Sequence, residues 1–213
     1  MMEEELENYI LKHISAEPPL LKTLARETAL THLYSRMCSG HLQGRMLKMF
    51  TKMINPGRIL ELGAYTGYST LCFAEGASDN AEIVSIEVDD EMEDSLRETF
   101  SKSPYNDKIK LIIGDALEII PTLPGTFDLI FIDANKRHYP QYFSLVKDRL
   151  NPGGYIIADN TLWDGKVAAP DNCSDPQTAG IKAFNDMVVN NPDFETVIIP
   201  LRDGLTIIRK KTL

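Results

Sequence analysis

The sequence predicts a doubly wound α/β fold, in which helices cover both faces of a largely parallel sheet. The middle of the chain alternates short apolar segments, rich in Ile, Leu and Val, with amphipathic segments. Such apolar runs are typical of strands buried on both faces, as in a parallel sheet joined by crossover helices. The chain begins with helical periodicity and ends with two apolar segments joined by a short turn. These observations indicate a helical N-terminal segment followed by an α/β core.

The N-terminal part of the chain carries apolar residues at helical spacing. We expect three helices there, at residues 3–14, about 20–32 and about 41–53. Pro18-Pro19 separates the first two, and Pro56-Gly57 ends the segment, because proline and glycine interrupt helices. The helical segment is therefore expected to span residues 1–55.

Apolar segments with plausible helices between them make up the next part of the chain. The five candidate strands are RILEL (58–62), EIVSIE (82–87), IKLIIG (109–114), FDLIFID (127–133) and GYIIADN (154–160). Plausible helices lie at residues 67–75, 90–102, 115–121, 138–149 and 176–190.

The last two apolar segments, FETVIIP (194–200) and LTIIRK (205–210), are joined by Arg202-Asp203-Gly204. A turn that short fits a hairpin, so the last strand should run antiparallel at or near the sheet edge. The chain has no internal repeat, low-complexity tract or long linker. We therefore expect one domain over residues 1–213, with its α/β core at residues 56–213.

The composition is that of an ordinary globular protein with an acidic surface. Its 31 acidic and 22 basic residues give a formal net charge of −9. An acidic surface repels phosphate backbones and disfavours general nucleic-acid binding, although it does not exclude a local basic patch that binds one structured RNA.

Three features predict a cytoplasmic protein. Cys38, Cys72 and Cys173 fit neither a zinc site nor a disulfide framework, which favours reduced thiols. The N-terminus, MMEEELENYILKHI, lacks the basic flank and apolar core of a signal peptide. The longest apolar runs are far too short to span a membrane.

A glycine-containing turn, ELGAYTGYS (61–69), follows the first candidate strand. Its glycines let the backbone approach a ligand closely, and the helix that follows offers unpaired N–H groups. Glu87 ends the next strand and places a carboxylate beside the turn, where doubly wound folds bind ribose. A purely structural turn with an exposed glutamate is the alternative.

The spacing of this turn favours a nucleoside with a cationic tail. Gly63 and Gly67 are separated by three residues, unlike the G-x-G-x-x-G of dinucleotide-binding proteins, which disfavours a nicotinamide-dependent oxidoreductase. Glu61 would repel phosphate but attract an ammonium group. S-adenosylmethionine therefore fits the turn.

Gly114-Asp115-Ala116 follows the third strand at the same edge of the sheet. Asp115 could cap the helix that begins there. It could also accept a hydrogen bond from the adenine amino group, and the two roles are compatible.

Polar side chains end the fourth and fifth candidate strands, at Asp133 and at Asp159-Asn160. These side chains should meet beside the cofactor crevice, where two close carboxylates repel each other unless they share a cation or a proton. Oxygen ligands alone suit a hard ion such as Mg²⁺, with Mn²⁺ or Ca²⁺ as alternatives. Taken singly, each residue is more often a helix cap or a turn former, and Asp133 could also contact the cofactor.

Lys136 lies on the same loop as Asp133. An isolated lysine is usually a solvated surface charge, but beside a metal ion and a sulfonium its ammonium form is disfavoured, which makes it a usable general base. Trp163, the only tryptophan, follows the Asp159-Asn160 pair. It could belong to the core or form a wall for an aromatic acceptor.

Three motifs, ELGAYTGYS (61–69), IDANK (132–136) and ADNTLWDGKV (158–167), resemble the cation-dependent O-methyltransferases that include caffeoyl-CoA and catechol O-methyltransferases. The similarity extends over about residues 36–210. It implies the Rossmann-like class I methyltransferase fold, with a seven-stranded sheet, and a homodimer. It marks Asp133, Asp159 and Asn160 as metal ligands and Lys136 as the catalytic base. The cofactor contacts that it implies are Met37, Glu61, Gly63, Ser69, Glu87, Ala116 and Asp133.

The chain departs from this family in two places. The frequent Asp-Ala-Asp-Lys is here Asp133-Ala134-Asn135-Lys136, which removes one carboxylate near the site. The acceptor-binding insertions and longer N-terminal arm of the plant enzymes are missing, and residues 35–47 differ from their counterpart. Specificity for caffeoyl-CoA is therefore not carried over.

The resemblance and the residues together predict an S-adenosylmethionine-dependent O-methyltransferase. Its expected acceptor is a small phenolic or catechol-like vicinal diol chelated by the metal ion. A hydroxylated nucleoside in tRNA is the alternative acceptor for the same chemistry. A non-catalytic cofactor-binding or regulatory protein is the alternative from another class, which the set of metal ligands and base disfavours.

Overall fold

The computed structural model describes residues 4–169 and 175–212. Within these ranges the strands are β1 Arg58–Leu62, β2 Glu82–Glu87, β3 Ile109–Ile113, β4 Phe127–Ile132, β5 Leu150–Asp159, β6 Phe194–Ile199 and β7 Leu205–Lys210. The α-helices are α1 Glu4–Lys12, α2 Pro19–Thr31, α3 Gly40–Ile54, α4 Tyr68–Gly76, α5 Glu93–Ser101, α6 Ala116–Ile119, α7 Tyr139–Val146 and α8 Pro176–Val189.

All seven strands in the described part of the chain belong to one sheet, in the order β3-β2-β1-β4-β5-β7-β6. The five strands from β3 to β5 pair in parallel, and β7 pairs antiparallel with both β5 and β6. The predicted hairpin and its antiparallel last strand are confirmed. Leu205, the first residue of β7, pairs with Asp159, the last residue of β5. The turn between β6 and β7 therefore lies at the carboxyl edge of the parallel strands.

Hydrophobic side chains cover both faces of the sheet, because successive residues of a strand point to opposite sides. On one face, Ile130 packs in a cluster with Phe143 of α7 and Phe184 of α8. On the other face, Phe131 packs with Phe73 of α4 at a ring-centroid distance of 5.2 Å, in a cluster that also contains Leu47 of α3. α2 and α3 thus share a core with the sheet, and the single domain over residues 1–213 stays a prediction.

The predicted boundaries differ from the structure mainly at β5 and at several helix starts. β5 begins at Leu150, before the predicted residue 154, because Leu150 pairs with Phe127 across a register shift in β4. Short 3₁₀ turns at Asp90–Met92 and Lys136–His138 precede the helices predicted from residues 90 and 138. Such turns are common at helix ends, where boundaries vary by a residue or two.

No helix among residues 4–169 and 175–212 has the length and apolar character that crossing a bilayer requires.

Asp128 connects the amino ends of three neighbouring strands. Its Oδ2 accepts hydrogen bonds from the backbone N–H groups of Gly57 and Arg58, at 2.9 and 3.0 Å. Its Oδ1 accepts from Asn151 Nδ2 at 2.7 Å. Partial burial acts to raise the pKa of Asp128, but the hydrogen bonds from Asn151, Arg58 and Gly57 outweigh it and hold the pKa below its ordinary value of 3.8.

We expect Asp128→Ala to lower the free energy of unfolding at pH 7 by roughly 1–3 kcal/mol, since it removes the acceptor of three hydrogen bonds. A carboxyl group with a lowered pKa stabilises the fold above its unfolded-state pKa and loses that contribution as the pH falls through the folded-state value. The difference between wild type and variant should therefore shrink at pH values below 3.8. Urea titrations at several pH values measure it, and a difference that does not change with pH would contradict the assignment.

Candidate active site

A cavity of about 1110 Å³ opens at the carboxyl edge of the sheet. With the exception of Glu61, every residue predicted for the site lines this cavity, namely Met37, Gly63, Ser69, Glu87, Asp115, Ala116, Asp133, Lys136, Asp159 and Asn160. The fold therefore brings together residues that are far apart in the chain.

The glycine turn brings the end of β1 against the segment that follows β4. Gly63 has a φ of +95°, and a β-carbon built on it would lie 2.1 Å from the carbonyl oxygen of Asp133. Its N–H donates to the Ile86 carbonyl at 2.9 Å, and the Asp133 N–H donates to the Leu62 carbonyl at 2.9 Å. Only a residue without a side chain fits between these strands.

Glu61 lies behind the cavity wall and is fully buried. Its Oε1 accepts a hydrogen bond from Ser69 Oγ at 2.6 Å, and its Oε2 accepts from Ser85 Oγ at 2.6 Å and from Thr70 Oγ1. Burial raises the pKa of Glu61 to about 7, although the three hydroxyl groups act in the opposite direction. In the structure, this carboxylate anchors the first turn of α4 through Ser69 and Thr70. Its direct contact with a cofactor stays a prediction.

Glu87 and Asp115 mark the other end of the cavity. Glu87 is 7% exposed, and its carboxylate accepts from the backbone N–H groups of Tyr65 at 2.7 Å and Asp89 at 3.0 Å. The alternative of an exposed glutamate is therefore wrong. Asp115 Oδ1 accepts from the Leu117 N–H at 2.8 Å, which confirms its role as a helix cap. Its predicted contact with adenine remains untested.

Asp133, Lys136 and Asp159 form a compact charged group. Lys136 Nζ donates to Asp133 Oδ1 at 2.6 Å, and the Lys136 side chain is only 12% exposed. Burial and then the negative charge of Asp133 raise the pKa of Asp159 to about 6. Asn160, the next residue, has a left-handed backbone with a φ of +58°.

The side-chain oxygens of Asp133, Asp159 and Asn160 fit a hard divalent cation. Two carboxylates disfavour each other's ionised form, and a cation between them would relieve the repulsion. The part of the chain that the structure describes contains no group of three His, Cys, Asp or Glu residues placed to hold a metal. The predicted set of two carboxylates and the Asn160 amide contains only oxygen ligands that leave room for substrate and water.

Asn135 replaces an aspartate of the related motif and has a local structural role. Its Oδ1 accepts from the Arg137 N–H at 3.2 Å and caps the turn Lys136–His138. The substitution leaves Asp133 and Lys136 in contact.

Trp163 lines the cavity from the segment that follows β5. Its indole N–H lies 3.4 Å from Asp175 Oδ2, and its backbone is left-handed, with a φ of +47°. Trp163 also packs, partly buried, against the hydrophobic cluster that contains Phe143 and Phe184. It therefore belongs both to the edge of the core and to the cavity wall, and its contact with an aromatic acceptor stays a prediction. Residues 170–174, which include Cys173, lie outside the described residues.

Sequence reasoning missed two side chains that reach the site, Gln43 of α3 and Arg202 of the β6–β7 turn. Gln43 Nε2 donates to Asp159 Oδ2 at 2.6 Å, and Arg202 donates to Gln43 Oε1 at 3.1 Å. The predicted hairpin could have indicated Arg202. The last strand runs antiparallel to the parallel strands, so the turn before it, which contains Arg202, lies at their carboxyl edge. Gln43 gave no such signal, since a single polar residue in an amphipathic helix is common.

The chain is similar to known methyltransferases in sequence and in fold. A family model described as O-methyltransferase matches residues 12–211. Caffeoyl-CoA O-methyltransferase 5 of Nicotiana tabacum is 31% identical, over 100% of this chain and 93% of its own length. The SAH-bound Podospora anserina methyltransferase PaMTH1 is 32% identical with a TM-score of 0.91, covering 100% of this chain and 98% of that one. The SAM-bound O-methyltransferase TomG of Streptomyces achromogenes is 26% identical with a TM-score of 0.91, covering 100% of both chains.

We expect Gly63→Ala to destabilise the fold by more than the ~1–3 kcal/mol that a left-handed non-glycine residue costs alone, because its β-carbon would meet backbone atoms. The same variant should also lose the binding of S-adenosylhomocysteine (SAH). Gly153→Ala is the matched control: its φ is +79°, and the nearest atom to an added β-carbon is a side-chain methyl at 3.4 Å. Thermal unfolding and SAH titration measure both effects, and equal losses in the two variants would contradict this reading of the turn.

Proposed function

Since this chain belongs to the O-methyltransferase family, we propose that it moves a methyl group from S-adenosylmethionine to a hydroxyl of a small catechol-like diol. Asp133, Asp159 and Asn160 would hold a divalent cation, Mg²⁺ in the first place, to which the acceptor diol would be chelated. The observation that carries the proposal is the ion pair of Lys136 with Asp133, at 2.6 Å, beside Asp159 in one cavity.

The half of the cavity at the ends of β1, β2 and β3 supports S-adenosylmethionine. Gly63 allows close approach of the backbone, Glu87 offers its carboxylate to ribose hydroxyls, and Asp115 and Ala116 line the wall. Behind the turn, Glu61 accepts a hydrogen bond from Ser69 Oγ at 2.6 Å, and a cationic group in the cavity would favour its ionised form. Relatives 26% and 32% identical, solved with SAM and SAH, support the same cofactor here.

Asp133, Asp159 and Asn160 would hold the cation, because their carboxylate and amide oxygens are the ligands that hard ions prefer. When bound there, the ion would supply Lewis acidity and a template for the two oxygens of the diol.

Lys136 is the proposed general base. In its neutral form, Nζ accepts the proton of the hydroxyl that becomes methylated. The hydroxyl oxygen then forms a bond to the methyl carbon, and the carbon–sulfur bond breaks to leave S-adenosylhomocysteine. Asp133 Oδ1 accepts a hydrogen bond from Nζ at 2.6 Å and so holds Nζ in position. Much of the rate is expected to come from orienting two bound reactants.

A hydroxylated nucleoside in tRNA is the alternative acceptor. The names of the three relatives described above give it no support, and the formal net charge of −9 disfavours it. A homodimer, which the motif resemblance implies, stays a prediction.

The proposal is tested by methyl transfer from labelled S-adenosylmethionine to catechols, caffeoyl-CoA and bulk tRNA, each with Mg²⁺ and with EDTA. We expect labelling of small diols that EDTA abolishes. Labelling of tRNA alone would keep the chemistry and replace the acceptor. Labelling of a diol that is indifferent to EDTA would contradict the metal-dependent mechanism.

Lys136→Met should lower kcat by roughly 10²–10⁴-fold, the usual contribution of a positioned base. SAH affinity should change little, because Lys136 lies at the acceptor end of the cavity. Lys52→Met, at an exposed position of α3, is the control and should match wild type in both respects. Equal losses in kcat and in SAH affinity for Lys136→Met would count against its role as the base.

A further inference from the structure

Gln43 is a buried polar side chain that connects the metal end of the cavity to the β6–β7 turn. It is 1% exposed, and its two polar atoms contact side chains of opposite charge. Nε2 donates to Asp159 Oδ2 at 2.6 Å, and Oε1 accepts from Arg202 at 3.1 Å. Gln43 does not line the cavity itself.

The partners of Gln43 fix which way its amide points. An arginine can only donate hydrogen bonds, and an ionised carboxylate can only accept them. The amide oxygen must therefore face Arg202 and the amide nitrogen must face Asp159. The reverse orientation would set donor against donor and acceptor against acceptor at a buried position.

Arg202 is itself held in place by backbone oxygens. Its guanidinium donates to the carbonyl groups of Cys38 at 3.1 Å, of Ser39, and of Arg36 at 3.0 Å. Its backbone is left-handed, with a φ of +49°, a conformation that a non-glycine residue adopts at some cost. The Arg202 guanidinium is thus held both by the Gln43 amide and by three carbonyl groups of the segment before α3.

The second oxygen of Asp159 is also occupied. Oδ1 accepts from the backbone N–H of Asn160 at 2.7 Å, while Oδ2 accepts from Gln43. The two hydrogen bonds fix the plane of the carboxylate from opposite oxygens, and each oxygen retains a lone pair for a cation. Groups that orient a metal ligand in this way commonly change metal affinity tenfold or more when they are removed.

We propose that Gln43 is a positioning residue for Asp159 in its role as metal ligand, and that Arg202 acts through Gln43 by setting the orientation of its amide. This inference rests on the metal-dependent function proposed above. It concerns metal binding before any acceptor is present.

The test is the dissociation constant of Mn²⁺, measured by the EPR signal of the free ion, with SAH present and no acceptor. Gln43→Met keeps the length of the side chain and removes both hydrogen bonds. We expect Mn²⁺ binding to weaken by about tenfold or more, with SAH affinity nearly unchanged because Gln43 lies outside the cavity lining.

Leu47→Ala is the control for a loss of stability alone. Leu47 lies one turn further along α3, is fully buried and does not line the cavity. This variant should lower the Tm at least as much as Gln43→Met does, because it leaves a void in the core. Its Mn²⁺ affinity should match wild type. Similar weakening in Leu47→Ala and Gln43→Met would overturn the inference, because it would trace the effect to stability.

Arg202→Lys provides a second, independent variant, because lysine keeps the charge but cannot reproduce the fork of donors. We expect weaker Mn²⁺ binding, and the double variant should bind Mn²⁺ no more weakly than Gln43→Met alone. Full additivity of the two losses would contradict an action of Arg202 through Gln43. Unchanged Mn²⁺ affinity in Gln43→Met would overturn the inference while leaving the proposed function intact. Absence of Mn²⁺ binding in wild type would overturn both.

Discussion

The repulsion between two carboxylates, Asp133 and Asp159, is the constraint on which the rest of the site depends. Parallel pairing of β4 with β5 aligns Ile132 with Ala158. The residues that follow these two, Asp133 and Asp159, therefore lie at the same edge of the sheet. Burial and the charge of Asp133 both disfavour ionisation of Asp159. Lys136 offsets part of this charge through its ion pair with Asp133. The fold thus concentrates negative charge where an oxygen-binding cation would be most stabilised.

Much of this arrangement could be predicted from the sequence, because it follows from strand order and strand ends. Apolar runs bounded by polar residues predicted all seven strands, and the class I methyltransferase fold implied by the motifs is confirmed. The start of β5 was missed because Pro152 and Gly153 are turn residues that here lie within a strand, next to a register shift. Glu61 occupies a buried strand position where hydroxyl groups surround it, an environment that its place in the glycine motif did not reveal, and its contact with the cofactor stays a prediction.

The residues that sequence reasoning did not predict reach the site from outside the strand ends. Gln43 comes from a helix whose packing on the sheet decides where its side chain points, and no local pattern encodes that packing. The β6–β7 turn was predicted as a turn, but not as a support for two other segments. Besides the contacts of Arg202, the carbonyl groups of Asp203 and Gly204 accept from the N–H groups of Leu162, at 2.8 Å, and Thr161, at 3.1 Å. The β6–β7 turn thereby connects the helical N-terminal segment to the segment after β5.

The burial of Glu61 has a thermodynamic consequence for ligand binding. With a pKa of about 7, this carboxyl group is divided between its neutral and ionised forms near neutral pH. A cationic group arriving at the adjacent turn favours the ionised form, so binding would release protons to the solvent. The heat measured by calorimetry would then include the protonation enthalpy of the buffer, and the apparent affinity would rise with pH across the neutral range. The burial of Glu61, and the serine and threonine hydroxyls that oppose its effect on the pKa, would thus determine how many protons accompany each binding event.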